Sequence, residues 1–332
     1  MRWPLALIMA ACIGTAACSQ PEDTLHSDLG VPLSLRGVTF EGWLSGEVPH
    51  DDADTRTIRT MGGNAAKLVV PFSLLTRVDP VVREQRLQQI LRMSGYAQGA
   101  GLSVVLSCES PAGASLFSSD REVRAAFVET WVDVVQRLAD GPSGPVLRAI
   151  VPLEEPSEVL QDADLYRDLC SYLAQRLQDV RPGLAMFIVP LSGTGPDGVP
   201  VLSYPFVGAT CRLPADAAAL ERVAIVRGAA EWSQTEQRPV LVDRVAPTVG
   251  LPREQWESVL GPCLSAIIHQ RPAIHFLYDR MRSADEAAPG LAVRFPQEGA
   301  IRVEPLLQDL LSRTFKGALP RLPEVDPTEE SE

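Results

Sequence analysis

The 332-residue chain lacks the features that mark several common classes of protein. Basic residues are in the minority, with 30 Lys and Arg against 42 Asp and Glu, and the formal net charge is −12 at pH 7. Because nucleic-acid binding needs a basic face, this balance argues against a nucleic-acid partner. No run of Lys or Arg offers a site for anionic lipid headgroups either.

Motifs for metals and phosphates are also missing. Beyond residue 18 the cysteines are Cys108, Cys170, Cys211 and Cys263, without CxxC spacing, and the four His form no His-x-His pair. With no glycine-rich phosphate loop either, we expect no metal and no cofactor. Cys170 and Cys263 fall in helical patterns and are expected to be buried thiols. Cys108 and Cys211 lie near predicted strand ends, where a disulfide between them is one alternative.

The first hydrophobic run is too short to be a good membrane span and is typical of a secretory signal. Within residues 1–17, Arg2 supplies a positive charge near the start, and a short apolar stretch follows it. The sequence TAAC, ending at Cys18, is similar to a bacterial lipobox, although Thr15 fits it less well than the usual aliphatic residue. We therefore predict export to the bacterial cell envelope, with a lipid on Cys18 as the only attachment to a membrane.

Two polar segments flank the central part of the chain. Residues 18–30 combine the predicted anchor cysteine with a flexible spacer, and residues 319–332 form a proline-rich acidic tail that we expect to be disordered. Residues 31–318 are enough for one large α/β domain.

Strand and helix patterns alternate throughout this central part. Predicted helices lie at residues 51–61, 79–99, 120–138, 162–180, 214–235, 252–270 and 303–315. Apolar runs predict eight strands, at residues 35–40, 66–70, 102–106, 147–153, 184–189, 205–211, 239–245 and 273–278. This order predicts the α/β class and a single (β/α)8 TIM barrel.

The fourth predicted strand is the most informative segment. It reads LRAIVPLEEP and ends in Glu154, Glu155 and Pro156. The two carboxylates therefore follow the C-terminal end of a strand, where barrels of this kind place their chemistry. If the strand pleat continues, the two side chains point to opposite sides and at most one faces the central cleft. A plain surface turn is the simpler alternative.

Several segments resemble the cellulase-like glycoside hydrolases of family 5, in the same order along the chain. They are RGVTFEGW, TIRTMGGNAAKLVVPFS, GAGLSVVLSCESP, FVETWVDVVQRLAD followed by LRAIVPLEEP, and RPVLVDRVAP. The resemblance implies a TIM barrel of glycoside-hydrolase type that handles carbohydrate. It also implies two carboxylates, one protonating the leaving oxygen and one attacking the sugar, about 5–5.5 Å apart in retaining enzymes.

The catalytic positions implied by the resemblance are only half preserved. Glu155 occupies the acid/base position, but the nucleophile position holds Arg244, preceded by Asp243. An arginine stays protonated and cannot attack an anomeric carbon. The surrounding polar set is replaced as well: Lys67 stands for an arginine, Glu109 for a histidine, Glu154 for an asparagine, Thr210-Cys211-Arg212 for His-x-Tyr, and Tyr278 at best for the aromatic platform.

The replacements are electrostatically consistent with one another. Glu109, Glu154 and Glu155 would crowd one end of the barrel, and close carboxylates need cations nearby to stay ionised. Lys67, Arg212 and Arg244 supply that charge. We expect a salt bridge between Arg244 and Glu155 where a sugar would otherwise lie. Trp43 is a candidate for stacking on sugar, although ordinary packing is the favoured interpretation.

Three functional hypotheses remain open, and whether the chain is an enzyme stays undecided. The first is an exported glycoside-hydrolase-like lipoprotein with a degenerate active site, which binds glycan or serves as a scaffold. The second is an active, divergent glycosidase with Glu155 as general acid/base and Asp243 as second carboxylate, turned inward by a bulge. Glu109 is a further candidate base for it. The third is a protein-interaction module with an unknown partner.

Overall fold

The computed structural model describes most of the central part of the chain. It covers residues 34–76, 78–109, 120–160, 162–191, 196, 207–214, 216–248, 250–270, 274–282, 290–294 and 301–322. The predicted signal, Cys18 and the spacer lie outside the described residues, as do residues 323–332 of the predicted tail.

Eight parallel strands close into a barrel in chain order, which confirms the predicted (β/α)8 TIM barrel. Each strand pairs with its neighbours in sequence, and the first pairs with the eighth. The strands are β1 Arg36–Phe40, β2 Ala65–Pro71, β3 Ser103–Glu109, β4 Leu147–Val151, β5 Ala185–Ile188, β6 Val207–Arg212, β7 Val240–Val245 and β8 His275–Tyr278.

Helices alternate with the strands along the chain, and most of them begin as the sequence signals predict. Asp51, Asp79, Asp120 and Asp162 each accept backbone N–H groups at a helix start. The helices are α1 Asp52–Met61, α2 Pro80–Gly99, α3 Arg121–Asp140, α4 Pro156–Val159, α5 Ala163–Val180, α6 Ala219–Glu236, α7 Trp256–His269 and α8 Pro305–Phe315. A two-stranded antiparallel sheet, β9 Ala292–Arg294 with β10 Ile301–Val303, precedes α8.

Several predicted boundaries are wrong. Strand β3 ends at Glu109 rather than at Leu106. Strand β4 ends at Val151 rather than at Leu153. Helix α6 begins at Ala219, five residues after the predicted start, and a short 3-10 helix, Arg253–Gln255, precedes α7. Proline misled the assignment because Pro214 and Pro252 suit a first helical turn but serve equally well in the loops before one.

The barrel encloses side chains of two kinds. Its lower part is apolar, with Leu35, Ala65, Val105, Phe187, Leu241 and Leu277 among the buried residues. Because side chains alternate along a strand, every second residue faces inward, including those nearer the C-terminal end of each strand. On five strands these are the polar residues Thr39, Lys67, Ser107, Thr210 and Asp243, all buried. The polar set therefore lies towards the barrel mouth, the end at which the strands terminate.

Candidate functional site

A buried triad joins three strands at the barrel mouth. Lys67 of β2 forms an ion pair with Asp243 of β7, and its Nζ also lies 2.7 Å from Oε1 of Glu154, which follows β4. The exposed fractions of the Lys67 and Asp243 side chains are 1% and 0%. Burial of three charges is tolerated because each charge has an opposite partner.

Arg212, the last residue of β6, extends this triad to the mouth surface. Its Nη2 donates to Oε2 of Glu154 at 2.6 Å, and its Nη1 lies 2.5 Å from Oε1 of Glu155. Arg244 of β7 reaches the same oxygen of Glu155, with its Nη2 at 2.8 Å. The predicted Arg244–Glu155 ion pair is therefore present. We call Lys67, Asp243, Glu154, Arg212, Glu155 and Arg244 the mouth network.

A bulge in β7 positions two members of the mouth network. Val242 pairs with Phe276 and Val245 with Tyr278, so β7 contains one residue more than β8 over this stretch. Arg244 lies at the bulge in the left-handed region, with φ of 57°. The backbone turn lets consecutive side chains serve one site: Asp243 meets Lys67 and Arg244 meets Glu155.

The condition under which Glu154 and Glu155 would point to opposite sides is not met. Strand β4 has already ended at Val151, and Glu155 adopts φ −126° and ψ 71° before helix α4. The strand pleat therefore does not govern the two side chains. Both carboxylates contact Arg212, with Glu154 below, and buried, and Glu155 nearer the surface.

The electrostatics of the mouth network favour the charged forms of Glu154 and Lys67. Burial alone would raise the pKa of Glu154, but Lys67, Arg212 and Arg244 outweigh burial and lower this pKa from 4.5 to about 2. Burial would likewise lower the pKa of Lys67, but Asp243 and Glu154 raise it above 10.5. Glu154 is therefore a carboxylate rather than a carboxylic acid that could donate a proton, and Lys67 stays a cation.

A second group of charges, which sequence reasoning missed, lies on the β1–β8 side of the mouth. Arg280 Nε lies 3.1 Å from Asp279 Oδ2 and 3.6 Å from Glu41 Oε2. Burial and the charge of Asp279 raise the pKa of Glu41. The available signal was positional: Glu41 and Asp279 directly follow β1 and β8, as Glu154 follows the end of β4.

The remaining predicted site residues take different places. Glu109 is exposed at the end of β3. Tyr278 is wrong as a sugar platform, because it is fully buried in the layer between strands and helices, where burial raises its pKa well above 10. Trp43 is 9% exposed and belongs to the same apolar layer, so packing rather than stacking on sugar describes it.

Buried hydroxyl groups surround the triad inside the barrel. Thr39 Oγ1, Ser107 Oγ and Thr210 Oγ1 have no hydrogen-bond partner among the described residues, and neither does Asp243 Oδ1. The three hydroxyl residues are at most 2% exposed. Each unpaired buried group of this kind lowers the free energy of unfolding by roughly 1–3 kcal/mol, so the polar interior destabilises the fold.

The described residues offer no support for other chemistry. They contain no group of His, Cys, Asp and Glu that could hold a metal ion. Cys108, Cys170, Cys211 and Cys263 are buried free thiols, so the predicted alternative of a Cys108–Cys211 disulfide does not hold.

His275 accepts the N–H of Leu35 at 2.9 Å, and burial lowers its pKa to about 4, as suits a core residue. No helix in the described part of the chain is both long and apolar enough to cross a membrane.

Comparisons with known proteins agree with the barrel. No family model matches the chain, and no curated protein does. An endo-glycoceramidase II from Rhodococcus sp., in a cellobiose-like imidazole complex, is 15% identical with a TM-score of 0.69, over 87% of this chain and 80% of its own. The fold is that of cellulase-like glycoside hydrolases.

Two further solved structures support the same fold. An endoglucanase is 11% identical with a TM-score of 0.63, over 85% of this chain and 96% of its own. A hyperthermophilic endo-beta-1,4-glucanase in complex with substrate is 12% identical with a TM-score of 0.65, over 88% and 98%. The glycoside-hydrolase-like barrel predicted from the sequence is thus confirmed as a fold.

Proposed function

We propose that this chain is an exported, lipid-anchored, glycoside-hydrolase-like protein that does not hydrolyse glycosidic bonds by the retaining mechanism. It acts as a glycan-binding or scaffold protein of the bacterial cell envelope, attached through Cys18. The observation that carries the proposal is the ion pair between Arg244 and Glu155, with 2.8 Å between Nη2 and Oε1. The resemblance to family 5 glycoside hydrolases assigns the nucleophile position to Arg244, so this ion pair puts a cation beside the acid/base candidate Glu155.

The retaining mechanism requires a carboxylic acid and a separate ionised nucleophile on either side of the bond to be broken. The carboxylate of Glu155 is engaged by two arginines, because Arg212 Nη1 and Arg244 Nη2 both contact its Oε1. Asp243 is fully buried and paired with Lys67, so a sugar carbon has no approach to it. Neither role is filled.

Carbohydrate binding is supported by the similar proteins and by the groups at the mouth. Endo-glycoceramidase II has a solved structure of its lactosyl-enzyme intermediate, and the hyperthermophilic glucanase was solved in complex with substrate. At the mouth of this chain Arg244, Glu155 and Arg280 are partly exposed. Guanidinium and carboxylate groups of this kind donate to and accept from sugar hydroxyls.

The first experiment measures hydrolysis by the purified mature protein on β-linked polysaccharides and aryl glycosides, beside the Glu155→Gln variant. We expect no turnover by either protein, together with binding of at least one glycan in a calorimetric titration. Turnover that Glu155→Gln abolishes would overturn the proposal. Labelling with a radioactive fatty acid, with Cys18→Ala as the control, tests the anchor: we expect incorporation that the variant loses.

The alternative function is an active glycosidase that uses Glu155 and Asp243. The β7 bulge favours it, because Asp243 does face the barrel interior. Lys67 opposes it by neutralising that carboxylate. Asp243→Asn separates the two: under the alternative it removes any activity that wild type shows, whereas under our proposal there is no activity to remove.

A further inference from the structure

We propose that Arg212 and Arg244 form a binding site for the carboxylate of an acidic sugar, and that Glu155 occupies this site when no ligand is bound. The inference rests on the proposed glycan-binding function and specifies the class of sugar. Glu155 then acts as a competitor built into the chain rather than as a catalytic acid.

The two arginines converge on a single oxygen. Nη1 of Arg212 lies 2.5 Å from Oε1 of Glu155, and Nη2 of Arg244 lies 2.8 Å from the same atom. Guanidinium groups are the preferred partners of carboxylates because their planar N–H donors match carboxylate geometry. Donors that hold the carboxylate of Glu155 would hold the carboxylate of a uronic acid in the same way.

The arginine pair is held in place by groups other than Glu155. Nη2 of Arg212 donates to Glu154 at 2.6 Å, and Glu154 is fixed by its ion pair with Lys67. The backbone of Arg244 is fixed by the β7 bulge, and Arg244 Nη2 also lies 3.9 Å from Oε2 of Glu154. When Glu155 moves, Arg212 therefore keeps its bond to Glu154, and Arg244 keeps its backbone conformation and its more distant charge partner Glu154.

Glu155 is the most replaceable carboxylate of the mouth network. It lies beyond the end of β4, and its side chain makes no capping hydrogen bond to the four-residue helix α4. Its side chain is 32% exposed, whereas the side chains of Glu154 and Asp243 are 5% and 0% exposed. Glu155 can therefore turn into water without opening the protein interior, which the buried carboxylates Glu154 and Asp243 cannot do.

The charge balance selects an anionic ligand. With Glu155 in place the mouth network holds the cations Lys67, Arg212 and Arg244 against three carboxylates. When Glu155 turns away, the network keeps its three cations and two carboxylates, which leaves a net charge of +1. One sugar carboxylate restores neutrality. A neutral sugar would displace Glu155 without replacing its charge beside Arg212 and Arg244.

Calorimetric titration of the purified full-length lipoprotein in detergent tests this inference. The ligands are trigalacturonic acid and its fully methyl-esterified form, which differ only in the masked carboxylates, with acetate as a carboxylate without a sugar. We expect the acid to bind more tightly than the ester. Glu155→Gln should raise affinity for the acid about tenfold because it removes the competitor, and Arg244→Gln should lower affinity about tenfold or more.

Arg313→Gln is the matched control, because Arg313 pairs with Glu257 and Asp309 on the helical surface and should leave affinity unchanged. Equal binding of acid and ester, with no gain in Glu155→Gln, overturns the inference but leaves glycan binding intact. If acetate binds with the same affinity per carboxylate as trigalacturonic acid, the claim that the ligand is a sugar is overturned. Failure of both trigalacturonic acid and its ester on every variant, with melting temperatures unchanged, overturns this inference, whereas the proposed glycan binding falls only if the polysaccharides of the first experiment also fail to bind.

Discussion

Nη2 of Arg244 lies 2.8 Å from Oε1 of Glu155, so a salt bridge joins the ends of β7 and β4 across the barrel mouth. In a retaining glycosidase two carboxylates face one gap at this place, about 5–5.5 Å apart. The further partners, Arg212 and Glu154, extend the salt bridge into the buried triad.

Removal of Glu154 should be strongly destabilising. Glu154→Gln leaves the buried Lys67 with Asp243 alone and removes one carboxylate from Arg212, so we expect a loss of about 3–5 kcal/mol in the free energy of unfolding at pH 7. Urea denaturation measures it. The control is Glu129→Gln, which breaks the exposed pair with Arg176 and should cost below about 1 kcal/mol.

The stability difference between wild type and Glu154→Gln should also depend on pH. The pKa of Glu154 is about 2 in the folded protein and 4.5 ordinarily, so its charge stabilises the fold above pH 4.5. That stabilisation is lost as pH falls from 4.5 towards 2. The difference between wild type and Glu154→Gln should therefore shrink over this interval. A difference that stays constant would show that the charge of Glu154 is not its source.

His275 should make stability depend on pH in a higher interval. Burial lowers its pKa from 6.5 to about 4, so the unfolded chain binds a proton between these values that the folded chain does not. Stability should fall by about 3 kcal/mol as pH drops from 6.5 to 4. His275→Asn offers an uncharged acceptor to the Leu35 N–H and should flatten this slope in denaturation series across pH. An unchanged slope would contradict the assignment.

The pattern of apolar runs, turns and caps was enough to predict the barrel, because each of these is a local signal. It also placed Arg244 opposite Glu155 through the resemblance in β4 and β7. The sequence did not predict where β4 ends, because its end at Val151 depends on tertiary pairing rather than on apolar character. The pairing of Lys67 with Asp243 could not be predicted from the sequence, because 176 residues separate them and only the closed barrel brings them together.

Replacement of a buried unpaired hydroxyl should stabilise the protein. Thr210 Oγ1 has no hydrogen-bond partner among the described residues and is fully buried, so Thr210→Val removes an unsatisfied group at nearly constant volume. We expect a gain of about 1 kcal/mol in thermal or urea denaturation. Thr314→Val is the control: its equally buried hydroxyl donates to the Leu310 carbonyl at 2.7 Å, and its removal should not stabilise. A loss of stability in Thr210→Val would mean that an ordered water satisfies this hydroxyl.

The backbone of Arg244 provides the last prediction. A non-glycine residue at φ 57° pays roughly 1 kcal/mol for its left-handed conformation, which glycine adopts freely. Arg244→Gln removes the ion pair with Glu155 and keeps the strain, whereas Arg244→Gly removes both. We therefore expect the glycine variant to be the more stable of the two by about 1 kcal/mol in urea denaturation. A more stable glutamine variant would mean that this bulge is not strained. In that case the conformation of Arg244 would carry no cost that its contacts at the mouth have to offset.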